Sequence, residues 1–432
     1  MPSIIFQVIS IAFGIIVSIV IILYFKGYFR DRNIYKITDF PSPTAKDFVA
    51  KISGLSDSFC SIGKISGFRV GANEIFAARL AAIQSAQASI QFETYIMTPG
   101  SRADDFATAL IQKAQQGVQV QLIVDHYGVK SISKSYWKRL SNAGVEVRFF
   151  NQFSWRDPLY YLRRNHRKLL LIDERIALVG GAGISNDWDG TRKDLAPWLD
   201  YEVYCQGEIL QRLRCLFLQH WLDAGGTANF SGNSSDEFEF QNASEPHDHK
   251  PTLVTSGENP TDRDSSIRSL YQLLTQAATQ RVWIASPYFL PDRNTQIFLQ
   301  RAKQRGVDVR ILTMGSRCDK PFIHYTSRER YGELLRYDIE VYEYQPSMMH
   351  AKLILVDKQW VSLGSANLDP RSFFQNDELN LSTASQELCQ QIESFFLTAF
   401  QNSKPVNLRT WKRRSIWERM IATFWLLFYW QL

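Results

Sequence analysis

Cysteine and histidine are both scarce in this 432-residue sequence, and neither is arranged to hold a metal. The five cysteines, Cys60, Cys205, Cys215, Cys318 and Cys389, are odd in number and widely scattered, with no C-x-x-C pair. That spacing excludes a disulfide framework and a cysteine-built zinc site, and it suits a reducing compartment. Of the seven histidines, His247 and His249 form a His-x-His in a polar stretch and read as solvent-exposed loop residues. No carboxylate cluster with metal-ligand spacing appears, so neither a metal nor another cofactor is expected. Charge is modest: 21% of residues, net +6, with positives gathered around residues 26–36 and 409–419. There is no extended Lys/Arg stripe with interleaved aromatics, so no nucleic-acid partner is expected. Basic ends point to an anionic membrane surface instead. A hydrophobic fraction of 45% argues for packed domains rather than disorder.

Long uncharged runs are few, and one opens the chain. Residues 3–25 carry no charge over 23 positions, enough at about 1.5 Å per residue to cross roughly 30 Å of hydrocarbon. A signal peptide has a positive n-region, a shorter apolar core and a small-residue cleavage site. None is evident, so residues 1–26 are expected to be an uncleaved transmembrane anchor. Lys26, Arg30, Arg32 and Lys36 follow it, which predicts a single-pass protein of the cell (inner) membrane with its body in the cytoplasm. Residues 27–59 then form a juxtamembrane segment. At the other end, 420–430 (MIATFWLLFYW) is too short to span, and it follows a segment mixing cations with Trp411 and Trp417. Residues 404–432 are expected to be a basic, aromatic, membrane-interfacial tail; a helix docked on the core is the alternative.

Between these ends the chain repeats itself. A helical pattern (NEIFAARLAAIQSAQ) leads to SIQFETYIM, a second helix ends at Gly117 before VQVQLIVD, and a third ends at Gly144 before VEVRFF. The order recurs with DSSIRSLYQLLTQAATQ, RVWIASPYF, a helix ending at Gly306, VDVRILTM and IEVYEY. Helices alternating with Val/Ile-rich strands predict two α/β units, each with a largely parallel sheet, over 60–225 and 251–403. Residues 226–250, rich in Ser, Asn, Gly and acids, read as the linker.

Each unit carries one His-x-Lys-x4-Asp: His166, Lys168 and Asp173, then His350, Lys352 and Asp357, the histidines 184 residues apart, and these six are the candidate catalytic residues. Both copies read as a β-hairpin opening on His-x-Lys and turning at Asp. Residues two apart on a strand share a face, so each histidine sits beside its lysine while Arg167 or Ala351 faces away. A neutral imidazole can attack phosphorus, and a protonated one can donate to the leaving alkoxide and later deprotonate the incoming alcohol. Two lysines supply positive charge where the non-bridging oxygens gain negative charge. Backbone amides near Gly180 and Gly181, and near Gly364 and Ser365, are further candidate donors.

These residues resemble the signature of the phospholipase D superfamily, and within it the chain is most similar to bacterial cardiolipin synthases. The likeness extends to IQFETYI, IASPYFLPD and GSANLDPRSFFQNDELNL and covers roughly residues 60–400. It implies two tandem phospholipase D-like α/β sandwich domains related by a pseudo-twofold axis, with the site at their interface. It also implies a phosphatidyl-histidine intermediate, resolved by a second phosphatidylglycerol to give cardiolipin and glycerol. By the same resemblance Ser365 and Asn367 contact phosphate, Glu378 and Asp200 orient the histidines, His166 is the nucleophile and His350 the general acid/base. Near-symmetry leaves the last two reversible. Gly183 stands where the second copy has Asn367, so the halves are not equivalent; Ser185 or Asn186 are candidate substitutes.

Three activities share such a site: phosphatidyl transfer to a lipid alcohol, phospholipid hydrolysis to phosphatidic acid, and nucleic-acid cleavage. Membrane segments favour the first two, and the resemblance favours transfer over hydrolysis. The expected partners are phospholipids and the membrane. No obligate protein partner is inferred, since one chain supplies both motifs. Apolar stretches such as PYFLP and WRDPLYYL either wall a lipid pocket or belong to the core.

Overall fold

The computed structural model describes residues 2–25, 37, 39–156, 160–190, 196–228, 249–257 and 265–431. Most of the expected linker (229–248), with His247, and the basic residues 26–36 lie outside the described residues.

After helices α1 (Pro2–Phe25) and α2 (Phe48–Leu55), the first half runs β1 (Phe59–Val70), α3 (Ala72–Ser85), β2 (Ser89–Thr94), α4 (Ser101–Gln115), β3 (Gln119–Asp125), α5 (Lys134–Asn142), β4 (Glu146–Phe150), β5 (Arg164–Asn165), β6 (Leu169–Ile172), β7 (Ile176–Gly180), β8 (Tyr201–Gly207) and α6 (Ile209–Asp223). The second half runs β9 (Lys250–Gly257), α7 (Ser266–Ala277), β10 (Arg281–Ala285), α8 (Arg293–Gln304), β11 (Asp308–Met314), α9 (Pro321–Leu335), β12 (Glu340–Tyr344), β13 (Leu353–Val356), β14 (Trp360–Gly364), α10 (Pro370–Phe374), β15 (Asn376–Thr383), α11 (Gln386–Gln401) and β16 (Ser403–Val406). Helices α12 (Leu408–Lys412) and α13 (Ile416–Leu426) follow. Gly117, Gly144 and Gly306 take the left-handed conformation just past their helices, as their positions in the sequence predict.

All the strands join one sheet, ordered β16-β12-β11-β10-β13-β14-β15-β9-β1-β8-β7-β6-β2-β3-β4, with β5 on β15. Read outward from the antiparallel β9–β1 junction, the two halves have the same strand order. A pseudo-twofold axis through that junction produces such a palindrome. The expectation of largely parallel sheets needs correction. Only the outer runs β2-β3-β4 and β10-β11-β12 are parallel by helical crossover, while the strands between them pair antiparallel, apart from the two-residue β5, which lies parallel on β15. The cause is the motif itself: each copy folds into a tight hairpin, β6–β7 or β13–β14, and a hairpin is antiparallel by construction.

Both faces of the sheet are covered, so its strands are apolar on both sides. In β6, Leu169 and Leu171 face α6, while Leu170 and Ile172 pack towards α3 and α4. In β13, Leu353 and Leu355 face the α6/α11 layer, and Ile354 and Val356 face α7. The α6/α11 layer forms one continuous core across both halves, which welds them together.

Helix α1 is the one described helix long and apolar enough to cross a bilayer, and none of the window 4–21 is buried. The tail is docked on one side and exposed on the other. Through Ala422, Trp425 and Tyr429 it docks on the body: Trp425 lies 4.5 Å from Phe322, and the Tyr429 hydroxyl donates to Leu290 O at 3.1 Å. Its other side leaves Ile416, Trp417, Met420, Phe424, Leu427 and Phe428 exposed. PYFLP also divides, Phe289 entering the core and Tyr288 an apolar cluster shared with the tail.

One buried ion pair locks the first half. Arg79 on α3 makes a bidentate pair with Glu202 on β8, at 2.9 and 2.6 Å, and donates to the carbonyls of Ala182 and Gly183. Removing one partner strands a buried charge, so Arg79→Met is expected to destabilise the fold by about 3–5 kcal/mol. Arg79→Met/Glu202→Leu should recover much of that loss, as thermal unfolding of both variants will show.

Candidate active site

His-x-Lys does not open a strand in either copy. Residues 166–168 and 350–352 form extended connectors just before β6 and β13. Their backbone is held by the opposite half: His166 N donates to Asp377 O at 2.9 Å, while His350 N and Ala351 N donate to Leu199 O at 2.8 and 3.1 Å. Intervening Arg167 points away and donates to Leu216 O of α6, and Ala351 lies in the core.

The side chains cross over as well. His166 Nδ1 lies 3.0 and 2.9 Å from the two oxygens of Glu378, on β15 of the second half. His350 Nδ1 lies 2.7 Å from Asp200, just before β8 of the first half. Each carboxylate thus orients the other half's histidine through Nδ1, and the Lys352 ammonium lies 3.0 Å from His350 Nε2. Glu378 is supported by the hydroxyls of Ser365 (2.5 Å) and Ser372 (2.7 Å). Asp200 accepts from the Trp188 indole at 2.9 Å and from Tyr201 N.

All these groups are buried, and their electrostatics follow from that. Burial, aided by Lys168, Lys352 and His350, pulls the His166 imidazole well below its ordinary value. Burial and Lys352 bring His350 down to about 4 against the pull of Asp200. Burial lowers Lys168 to about 7 and Lys352 to about 8. Burial also raises Glu378, with Lys168 and its hydroxyl donors opposing. For Asp200 the upward push of burial is outweighed by His350, Lys352 and Trp188, which hold it down at about 2. The cleft therefore holds two neutral imidazoles and poorly compensated ammonium charge, a combination that favours an anion.

Other expected residues lie elsewhere. Asp173 and Asp357 close the far turns of the hairpins, roughly 13 Å along a four-residue strand from the lysines. Asp173 accepts from the amides of Gln87, Ala88 and Ser89, and Asp357 from those of Thr279, Gln280 and Arg281. Both have positive φ, which aspartate tolerates. They brace the starts of β2 and β10 and do not reach the cleft. The Ser365 hydroxyl is committed to Glu378, whereas the Asn367 carboxamide oxygen is buried without a hydrogen-bond partner among the described residues. The expected amide donors Gly181, Gly364 and Ser365 are taken by Tyr201 O, Tyr201 Oη and Leu379 O.

The asymmetry at Gly183 has a steric origin. A Cβ there would lie 2.9 Å from Ile96 O and 3.3 Å from the Trp188 ring, and one on Gly181 would lie 2.2 Å from Asp200 Oδ1. Trp188 occupies the space and donates to Asp200 in place of a serine. Ser185 and Asn186 do not substitute, since they hold Asp187 N and Ser101.

Sequence reasoning missed an aromatic collar. Tyr95 lies 5.3 Å from the His166 ring, and Trp188 and Trp198 lie 5.2 and 5.7 Å from that of His350. It also missed His220 of α6, which meets Glu93 of β2 and approaches Asp377 of β15 at 3.5 Å. Burial and Arg167 push His220 down, but Glu93 and Asp377 prevail and leave it raised. This buried histidine ties the first half to the residue beside Glu378. Nothing in the spacing marks His220, which sits among the apolar residues of an amphipathic helix.

Comparison with known proteins finds one family on both halves. The family described as cardiolipin synthase, PLD-like domain, matches residues 80–221 and 270–399, one copy on each half. Cardiolipin synthase 2 of Bacillus anthracis is 32% identical over 354 residues, covering 81% of this chain and 67% of that protein. Cardiolipin synthase of Geobacillus kaustophilus is 28% identical over 434 residues, covering 93% and 83%. Among solved structures, phosphatidylserine synthase of Haemophilus influenzae superposes with a TM-score of 0.69 at 13% identity, over 89% of this chain and all of that one, a likeness of fold.

The crossed pairing has a direct test. In Asp200→Asn the imidazole NMR signals of His350 should shift while those of His166 stay, and Glu378→Gln should do the reverse. Each variant should lose roughly 10²–10⁴-fold in turnover, the range for a mis-set acid/base group. Signals moving in the histidine of the same half would refute the crossing.

Proposed function

The chain belongs to the family of cardiolipin synthase, phospholipase D-like domains, and from that premise we propose that it transfers a phosphatidyl group between two phosphatidylglycerol molecules. As a member of that family it is a phospholipase D-type phosphatidyltransferase acting on phospholipid. The observation that carries the finer reading is the pair of crossed histidine–carboxylate contacts beside two buried lysines.

In this reading the donor phosphodiester enters between the two Nε2 atoms. His166 attacks phosphorus, the bond to the glycerol headgroup oxygen breaks, and His350 gives that oxygen its proton, releasing glycerol. His350 then removes the proton from a hydroxyl of the second phosphatidylglycerol. That oxygen attacks phosphorus, the P–N bond breaks, and cardiolipin leaves. The different carboxylates support the roles. Asp200, held ionised, stabilises an imidazolium on His350, whereas Glu378, raised by burial, leaves His166 neutral and nucleophilic. Lys168 and Lys352 bind the phosphate, and Asn367 offers its carboxamide. Binding the anion offsets the lysine field that depresses His350 and lets it take up a proton. The aromatic collar supports transfer over hydrolysis by limiting water at the intermediate. Helix α1 and the basic residues after it support a membrane-anchored protein with a cytoplasmic body.

In phosphatidylglycerol micelles the protein should release glycerol and accumulate cardiolipin; mainly phosphatidic acid would mean that it is a hydrolase. His166→Ala and His350→Ala should each abolish turnover, and 32P-labelled donor should trap on His166.

The pH profile has a definite sign. The lysines must be charged and His166 neutral. So kcat/KM should fall on the alkaline side as the lysines discharge at about 7 to 8, and on the acid side only well below 6.5. An alkaline limb near pH 10 would show the lysines unperturbed.

A further inference from the structure

Apart from α1, no described element exposes as many large apolar side chains as α13 and the turn after it. Ile416, Trp417, Met420, Ile421, Phe424, Leu427 and Phe428 recur at helical spacing and form one stripe. Its inner counterpart, Ala422, Trp425 and Tyr429, is spent on the body. The stripe is therefore outward by construction, not a docked face seen from the wrong side.

A second exposed feature lies beside it. The loop between β4 and β5 carries Phe153 and Trp155, 44% and 87% exposed, the latter the most exposed large apolar side chain described. Arg371 of α10 joins the two, donating to Gln431 O in the tail at 3.4 Å and to Leu162 O at the end of that loop at 3.1 Å. Helix α10 begins three residues after Asn367, which sets the junction beside the site. From inside, Trp198 belongs both to the collar 5.7 Å from His350 and to the cluster holding Trp425 and Trp430. Exposed cations flank the apolar side chains: Arg156 in the loop, and Arg409, Lys412, Arg413 and Arg419 around α13.

We propose that α13 and the loop carrying Phe153 and Trp155 form a single docking surface for an anionic phospholipid bilayer, holding the mouth of the site at headgroup level. Apolar side chains that enter the interface, ringed by cations that meet anionic lipid, are the composition such a surface needs. A second copy of the chain fits less well, because a twofold pairing of stripes would bring these cations against each other. The occupant rests on the phospholipid reading given above. The surface also gives the lipid donor a short path: its headgroup reaches the histidines while its acyl chains stay in the bilayer.

The test uses the full chain in nanodiscs of phosphatidylglycerol and phosphatidylethanolamine, with Phe424 replaced by photoreactive benzoylphenylalanine. Mass spectrometry after illumination should find lipid adducts at that position. Adducts to a second chain or to α1, or no adduct, would overturn the proposal. Alongside it, Trp417→Glu/Phe424→Glu should lower turnover of bilayer phosphatidylglycerol by about tenfold or more, while turnover of monomeric dibutyryl phosphatidylglycerol stays within about twofold. Equal loss on both substrates, or no loss on either, would also overturn it. A protein turning over neither lipid even without substitution would refute the proposed activity, and the adducts would still decide the docking.

Discussion

Each motif histidine takes its orientation from a carboxylate in the other half of the chain, and much of the architecture serves that exchange. The exchange requires the two cores to be rigidly joined, which the continuous α6/α11 layer and the antiparallel β9–β1 junction provide. It requires the connectors ahead of the hairpins to reach across the axis, which Asp377 O and Leu199 O enforce by capturing their amides. It also requires the β15 carboxylate to stand still, and His220 with Glu93 secures the neighbouring Asp377. A histidine held by its own domain would tolerate some drift between domains. One held by its partner does not.

The symmetry is good in the backbone and imperfect in the site. Glutamate with two serine donors serves one histidine, and the shorter aspartate with an indole donor serves the other. Two glycines make room for that substitution, one for the carboxylate and one for the ring. The result is two imidazoles in unequal fields, a physical basis for unequal duties in a two-step displacement.

The repeat and its motifs were readable because they are carried by spacing. The helix stops at glycine, the alternating apolar runs and the recurring His-x-Lys all survive in one dimension. Asp173 and Asp357 share the motif but sit at the far turns, because a motif records which residues travel together, not which arrive at one place. These two serve the turn that shapes the hairpin, at the end away from the lysines. The crossing of Glu378 and Asp200, the collar of Tyr95, Trp188 and Trp198, and the clamp at His220 depend on contacts between segments more than a hundred residues apart or on filling of space. Neither leaves a periodic trace. The parallel sheet was overpredicted because helix–strand alternation dominated the reading, although the hairpins announced antiparallel pairs.

Among the described residues strand β16 has no equivalent in the first half, and it adds itself to the outer side of β12. Twisted open sheets seldom extend much beyond about ten strands, and a bare edge offers backbone groups to any passing chain. Here the last strand before the tail is only four residues long and holds Lys404 and Pro405. Proline cannot donate, and a lysine resists burial against a neighbour. An enzyme concentrated on a two-dimensional lipid surface meets its own copies often, and this short, charged, donor-poor border keeps such meetings from becoming sheet extension.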